Sequence, residues 1–290
     1  MPQNKLIGVT VVVPTLNRDD YLYDCLQDLL AQEHRPLEIL VVDQSDHVPK
    51  HVQQIVEMHP DIISYHKVDF RGLPLARNYG WEHAHYDAIV YVDDDIRCSP
   101  SLVSEHLRAL RLPNVGIVAG RITEAHREER VRGKAGHFNV WTANVKRGFS
   151  QEGEYYVCHA PGGNFAVWRK VAQQIGGFEE KLNFGAALYE ETEFCLRASQ
   201  IGYQIYFNGL AHLTHLAVPT GGCRVDDVEP YVWGLAHNRT ILIRRHLSWY
   251  QQPVAFAELL RLGLAYMKHY RKPQVLYALL NGTMAGLQKA

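Results

Sequence analysis

Three consecutive carboxylates, Asp93-Asp94-Asp95, follow directly on the apolar run Ala88–Val92. Like charges this close repel, so a fold keeps them together where a cation neutralises them. Hard divalent ions such as Mg2+ and Mn2+ take oxygen ligands, often one or two carboxylates plus substrate phosphates. A solvated acidic turn would be the bland explanation of any Asp triplet. Placement at the carboxyl end of an expected strand favours a ligand site, because open α/β sheets bind ligands at that edge. Asp43 ends a second apolar run, Leu40-Val-Val-Asp43, and so stands on the same expected edge. A single Asp there is often a helix cap. Two acids on one edge suggest a nucleotide site, with Asp43 accepting from a base N–H.

Other residues carry weaker signals. Arg77, in Leu75-Ala-Arg77-Asn78-Tyr-Gly80, could reach a phosphate or a base, although a surface Arg is the commoner outcome. Glu190, Glu191 and Glu193 crowd the start of an expected helix, where the dipole favours negative charge. They form either a favourable acidic first turn or a general base near a sugar hydroxyl. His212 and His215 fall in or after an extended segment, so strand alternation sends them to opposite faces and leaves one as a potential ligand.

The elements that must hold these groups alternate. Apolar runs at Val9–Val13, Glu38–Val42, Ile62–Lys67 and Ala88–Val92 read as strands. Amphipathic stretches from Asn17 to about Gln32, Pro49 to Met58 and Pro74 to His83 read as helices. That order predicts an α/β fold with a mostly parallel sheet flanked by helices. Further strands are expected at Val115–Gly120, Gly162–Trp168 and Gln204–Asn208, and helices after Trp168 and over Thr192–Ile201. Residues 123–156 are polar and basic with weak periodicity, and read as a loop excursion.

The 290 residues are 47% hydrophobic and 21% charged, which excludes a disordered chain and a small disulfide scaffold. Five widely spaced cysteines without a CxxC pair suggest free thiols in a reducing cytoplasm. The N-terminus has no secretory pattern, and no window offers the ~18 apolar residues of a membrane span. The net charge of −1 conceals a split: residues 1–230 carry 22 Lys/Arg against 30 Asp/Glu, and residues 231–290 carry 8 against Glu258 alone. We therefore divide the chain into a catalytic domain, 1–230, and a basic helical extension, 231–290.

Taken in order, these motifs resemble the family-2 glycosyltransferases of GT-A fold over roughly residues 8–220. Val11-Val-Val-Pro14-Thr15-Leu-Asn17-Arg18 is similar to that family's first strand, and Leu40-Val-Val-Asp43 to its base-recognition strand. Gly72–Gly80, Asp93-Asp94-Asp95, Gly162-Gly163-Asn164 with Ile175–Phe178, Glu190-Glu191-Thr-Glu193 and His215 follow at similar spacing. The resemblance implies an inverting, metal-dependent transfer of one sugar from a UDP-, GDP- or dTDP-sugar to a saccharide or lipid-linked acceptor, as in cell-surface glycan or glycolipid synthesis. It implies nucleotide contacts from Pro14, Thr15, Asn17, Arg18, Asp43, Arg77, Asp93 and Asp94. It gives Mg2+ or Mn2+ ligands as Asp95, Asp93 and His215. Sugar contacts would come from Gly162, Gly163, Asn164 and Glu190. Glu191 occupies the catalytic-base position, where Asp is commoner, so Glu190 and Glu193 stay open as alternatives.

A sugar nucleotidyltransferase would need a Gly-rich phosphate loop after the first strand, and Pro14-Thr-Leu-Asn17 contains no glycine. The same absence speaks against a dinucleotide-binding fingerprint. A non-catalytic nucleotide-sugar-binding protein would have no need of the whole acidic constellation. Processive synthases of the family carry Gln-x-x-Arg-Trp and membrane helices; Arg244-Arg245-His-Leu-Ser-Trp249 lacks the Gln and the spacing. The basic, aromatic extension suits peripheral contact with the inner face of a membrane, or packs on the catalytic domain with its basic face in water. Nucleic acid is not expected, because no recognised module accompanies the charge.

Overall fold

The computed structural model describes residues 6–126, 133–218, 221–223 and 225–290. Its first half is built from β1 (Val9–Thr15), α1 (Asp19–Leu30), β2 (Leu37–Asp43), α2 (Lys50–Met58), β3 (Ile63–Lys67), α3 (Leu73–His83) and β4 (Ala88–Val92). β1, β2 and β4 are buried at every residue, as β-branched strands covered on both faces must be. β5 (Ile96–Cys98), α4 (Leu102–Leu110), β6 (Val115–Glu124), a hairpin β7 (His137–Asn139) and β8 (Asn144–Lys146), β9 (Glu154–Val157) and β10 (Asn164–Trp168) follow. Then come α5 (Arg169–Ile175), α6 (Glu190–Gln200), β11 (Gln204–His215), α7 (Val228–His246), α8 (Gln252–Tyr270) and α9 (Gln274–Lys289).

Among the described residues one sheet runs β3-β2-β1-β4-β10-β6-β11-β5, with β9 paired to β11. β3, β2, β1 and β4 are mutually parallel, while β10 runs antiparallel between β4 and β6. Thr15 and Asp43 are register partners, so the carboxyl ends of β1 and β2 coincide. Asn164 at the start of β10 pairs with Val92 at the end of β4, which brings Gly162 and Gly163 to the same edge as the Asp triplet. His215 pairs with both Ile96 and Glu124 and closes that edge. Two apolar clusters fill the two faces of the sheet, one around Val11, Leu26 and Val90, the other around Tyr91, Phe165 and Phe194.

Three expectations about elements need correction. The stretch 123–156 is not simply a loop excursion: it holds the end of β6, the β7–β8 hairpin and part of β9, with residues 127–132 outside the described residues. These strands are three to four residues long, too short for a periodic signal. The strand expected at Gln204–Asn208 continues to His215 through a register shift between Asn208 and His212. Such a bulge breaks the alternation on which strand reading depends. α6 begins at Glu190, not Thr192, after a left-handed Tyr189.

α7 joins the extension to the rest. Its Leu242 and Ile243 pack with Phe138, Ala143 and Leu247, and Asn238 donates to the carbonyls of Leu182, Phe184 and Leu188. No helix among the described residues is long and apolar enough to cross a membrane.

Candidate active site

A cleft of about 840 Å³ opens at the carboxyl edge of the sheet. Thr15 and Arg18 from the end of β1, Asp93 and Asp94 after β4, and Gly162 and Gly163 before β10 line it, with His215 from β11 and Glu190 and Glu191 from α6. Motifs nearly 200 residues apart in sequence therefore meet because five chain segments end at one edge.

The Asp triplet is divided by its partners. Asp94 accepts from Thr15 Oγ1 at 2.7 Å and from Arg18 Nη1 at 2.8 Å. Burial pushes its carboxyl up to about 6, against the opposing pull of Arg18 and Thr15. Asp95 accepts from the Val218 N–H at 3.1 Å through Oδ2. Its Oδ1 is buried and has no well-aligned hydrogen bond among the described residues, although Arg18 Nη1 lies 3.0 Å and His215 Nε2 3.3 Å away. Burial would raise the Asp95 carboxyl, but His215, Arg18 and the Val218 N–H outweigh it and hold it below its ordinary range. Burial would likewise lower the His215 ring; Asp95 beside it raises it instead.

Donor atoms of Asp93, Asp95 and His215 all lie within 4.8 Å of one another. Two carboxylates and an imidazole, one carboxylate oxygen buried without an aligned donor, fit a divalent ion of the Mn2+ or Mg2+ type. Gly163 is required beside them: a Cβ there would come within 2.3 Å of Asp93 Oδ2. Gly222 covers Arg18 from the other side, with φ +64 and an added Cβ 2.8 Å from the guanidinium carbon. Arg18 also lies near the Gly221 carbonyl, at 3.4 Å.

The three glutamates of α6 have different surroundings. Glu190 is ion-paired to Arg77, which also donates to the Gly162 carbonyl at 2.7 Å, and both side chains are at most 2% exposed. Glu193 is fully buried away from the cleft and is bound by Arg197 at 2.7 Å, with His246 at 3.4 Å and Arg245 at 3.6 Å. Burial would raise it, yet His246 and Arg197 hold its carboxyl below the usual range. Glu191 lines the cleft, and its carboxylate has no hydrogen bond or ion pair among the described residues.

Asp43, Asn17 and Asn164, expected at the site, are bonded to other residues and are not among those lining the cleft. Asp43 is buried, accepts from the Ser45 N–H at 2.8 Å and the Tyr65 hydroxyl at 2.5 Å, and lies 3.7 Å from Lys67. A buried carboxylate must satisfy its oxygens, and these neighbours do so. Asn17 joins the two strand ends, its N–H to Ser45 Oγ at 2.7 Å and its Oδ1 to the Asp46 N–H at 3.2 Å. Asn164 accepts from His106 at 2.7 Å and donates to the carbonyls of Arg121 and Ala211, inside the sheet. His212 is bonded to Thr123 Oγ1 at 2.9 Å, so of the two histidines His215 faces the acids. Sequence reasoning missed Gln44, Arg71, Arg147 and Cys223 on the cleft wall. For Arg147 the only signal was the basic character of 123–156.

Comparison with known proteins adds to this geometry. A model of "Glycosyl transferase family 2" matches residues 10–176. A pre-mycofactocin glycosyltransferase of Mycobacterium tuberculosis is 24% identical over 71% of this chain and 42% of its own length. A glucosyl-dolichyl phosphate glucuronosyltransferase of Haloferax volcanii is 24% identical over 72% of this chain and 68% of its own. The chain thus spans about two fifths of the first of these relatives. Among solved structures, a mannosyltransferase of Pyrobaculum calidifontis in complex with GDP-Man and Mn2+ superposes with a TM-score of 0.59, at 22% identity over 96% of this chain and 75% of that one. S. aureus TarS 1-349 in complex with UDP-GlcNAc superposes with 0.66, at 15% identity over 96% of this chain and 81% of that one. Both share the fold.

Proposed function

The chain belongs to glycosyl transferase family 2, and on that premise we propose that it moves one sugar from a nucleoside-diphosphate sugar to an acceptor hydroxyl, inverting the anomeric carbon. The observation that carries this is the separation of roles within the cleft. Asp93, Asp95 and His215 stand close enough together to hold one cation, and Glu191 lines the same cleft with no hydrogen bond or ion pair among the described residues.

Asp93, Asp95 and His215 would hold Mg2+ or Mn2+, which when bound spreads the negative charge developing on the departing diphosphate. Arg18, held by Asp94 and Asp95, and Arg147 and Arg71, the last paired to Asp46, line the same cleft and would face the diphosphate. Thr15 and Pro14 form the wall at the end of β1. At the base end Asp43 orders Ser45 and Tyr65, while Gln44 next to it lines the cleft and accepts from the Gly72 N–H at 2.6 Å. Gly162 and Gly163 line the cleft and leave room beside them for Arg77 and Asp93, and we place the sugar against this segment. Glu190 with Arg77 fixes the first turn of α6 and so sets the direction of Glu191.

Glu191 accepts the acceptor hydroxyl proton as the oxygen attacks the anomeric carbon from the face opposite the diphosphate. One base and direct displacement suffice for inversion, with no covalent glycosyl intermediate. Glu193, saturated by Arg197 and His246, is not placed for that step.

We assign catalysis to 1–230 and a supporting role to 231–290. The acceptor in this proposal is a saccharide or a lipid-linked sugar of cell-surface glycan synthesis, and the Haloferax relative, named for glucosyl-dolichyl phosphate, supports the lipid-linked form. We place that work in the cytoplasm at the inner face of a membrane as part of the same proposal. A thermal-shift screen with UDP-, GDP- and dTDP-sugars plus Mn2+ tests the proposal. One donor class should raise the melting temperature, since a ligand selective for the native state stabilises it. Silence from every donor, with and without metal, would contradict it.

A further inference from the structure

α8 and α9 lie side by side, with Gly263 of α8 seated against Leu279 of α9. The inner face of α9 is spent on packing: Gly282 meets the Trp233 carbonyl and Gly286 meets the His237 carbonyl and Thr240, both on α7. Val275 and Leu279 are buried beside them. The opposite face is apolar too. Tyr277, Leu280, Met284 and Leu287 recur at intervals of three and four residues, the spacing of one helical stripe. Leu260 and Leu264, close to Gly263 in the sequence of α8, are exposed as well. These six side chains are each 43% to 71% exposed.

The charge around this stripe is mainly basic, with Glu258 on α8 and Glu229 on α7 as its acidic neighbours. Residues 259–290 contain Arg261, Lys268, Arg271, Lys272 and Lys289 and no Asp or Glu at all. Arg261 and Lys272 have acidic partners outside the segment, Glu258 and Glu229. Lys268 and Arg271 are exposed. Water alone gives no reason to leave six large apolar groups open on two packed helices. A second copy of the chain would bring two basic rims together. An anionic bilayer supplies both complements at once, acyl chains for the stripe and headgroups for the rim.

We infer that the outer face of the α8–α9 pair lies flat on an anionic lipid surface, with Leu260, Leu264, Tyr277, Leu280, Met284 and Leu287 at the acyl boundary. This rests on reading 231–290 as a supporting extension, and it commits that extension to one surface. The helices lie on the bilayer and do not cross it, which accords with the lack of a spanning helix among the described residues.

The full chain tests this by flotation with vesicles of phosphatidylcholine alone or mixed with phosphatidylglycerol. We expect binding to the anionic vesicles only, falling steeply as salt is raised above about 0.1 M. Leu280→Ser with Met284→Ser should abolish flotation. Lys268→Gln with Arg271→Gln should weaken it about 25-fold, at about fivefold for each basic residue near the surface. All three proteins should keep the same melting-temperature rise with Mn2+ and nucleotide sugar, so loss of lipid binding is separable from failure of the catalytic proposal. Absence of flotation by the wild type, or flotation unchanged in the serine variant, would overturn the inference. So would a dimer in sedimentation velocity that the serine variant dissociates, in a protein that binds no vesicles.

Discussion

Arg77 and Glu190 form an ion pair in the wall of the cleft, one side chain from α3 and the other from the first turn of α6, with almost no solvent reaching either. The pair couples the helix after β3 to the helix that carries Glu191. Breaking a buried pair from one side leaves a stranded charge and costs about 3–5 kcal/mol. We predict that Glu190→Gln and Arg77→Met each lower the melting temperature sharply. The double variant should recover a large part of the loss, as read by a double-mutant cycle in thermal denaturation.

Glu191 is one residue further on and carries a different prediction. Glu191→Gln should lower kcat by about 10²–10⁴-fold, the scale of general-base catalysis. Donor affinity and melting temperature should stay near wild type, because the carboxylate makes no hydrogen bond or ion pair among the described residues and its interaction with His159 is electrostatic only. Glu193→Gln, by contrast, should act on stability.

The cation site predicts a binding change that needs no turnover. His215→Ala should weaken Mn2+ binding by at least about tenfold, measured by electron paramagnetic resonance of free Mn2+. An unchanged Mn2+ titration would remove His215 from the ligand set.

Glu193 sets an acid limit. Its carboxyl lies below the ordinary range in the folded state, held there by His246 and Arg197 against burial. A depressed carboxyl contributes its full stability above the unfolded value of about 4.5 and loses it as pH falls toward and through the folded value. Urea unfolding between pH 7 and pH 3 should show wild-type stability falling in the acid range. Glu193→Gln, which costs about 2–3 kcal/mol at neutral pH, should show a shallower slope.

The parallel half of the fold was readable because β1, β2 and β4 are largely apolar runs, with the polar residues Thr15, Asp43 and Asp93 at or just after their ends. The Asp triplet and the acidic start of α6 were readable for the same reason. Their partners were not. Nothing in one dimension shows that Asp43 turns toward Tyr65, that Asn164 bonds His106, or that Arg18 lies across Asp94 and Asp95. Those are tertiary contacts between segments 22 to 77 residues apart. The β7–β8 hairpin and the bulge in β11 escaped because short or irregular strands carry no period. The exposed stripe of α9 has a clear helical period, but only burial shows which of its two apolar faces is left open.

The central claim is that one cleft binds a nucleoside-diphosphate sugar through a cation held by Asp93, Asp95 and His215, with Glu191 free for the acceptor. Isothermal titration of the matching nucleotide sugar into wild type, Asp95→Asn and Glu191→Gln, each with Mn2+ and then with EDTA, tests it most directly. We predict donor binding to wild type and Glu191→Gln that EDTA abolishes, and loss of at least about 1.4 kcal/mol, a tenfold change, in Asp95→Asn. Donor binding of equal strength in all three proteins, with or without metal, would contradict the account.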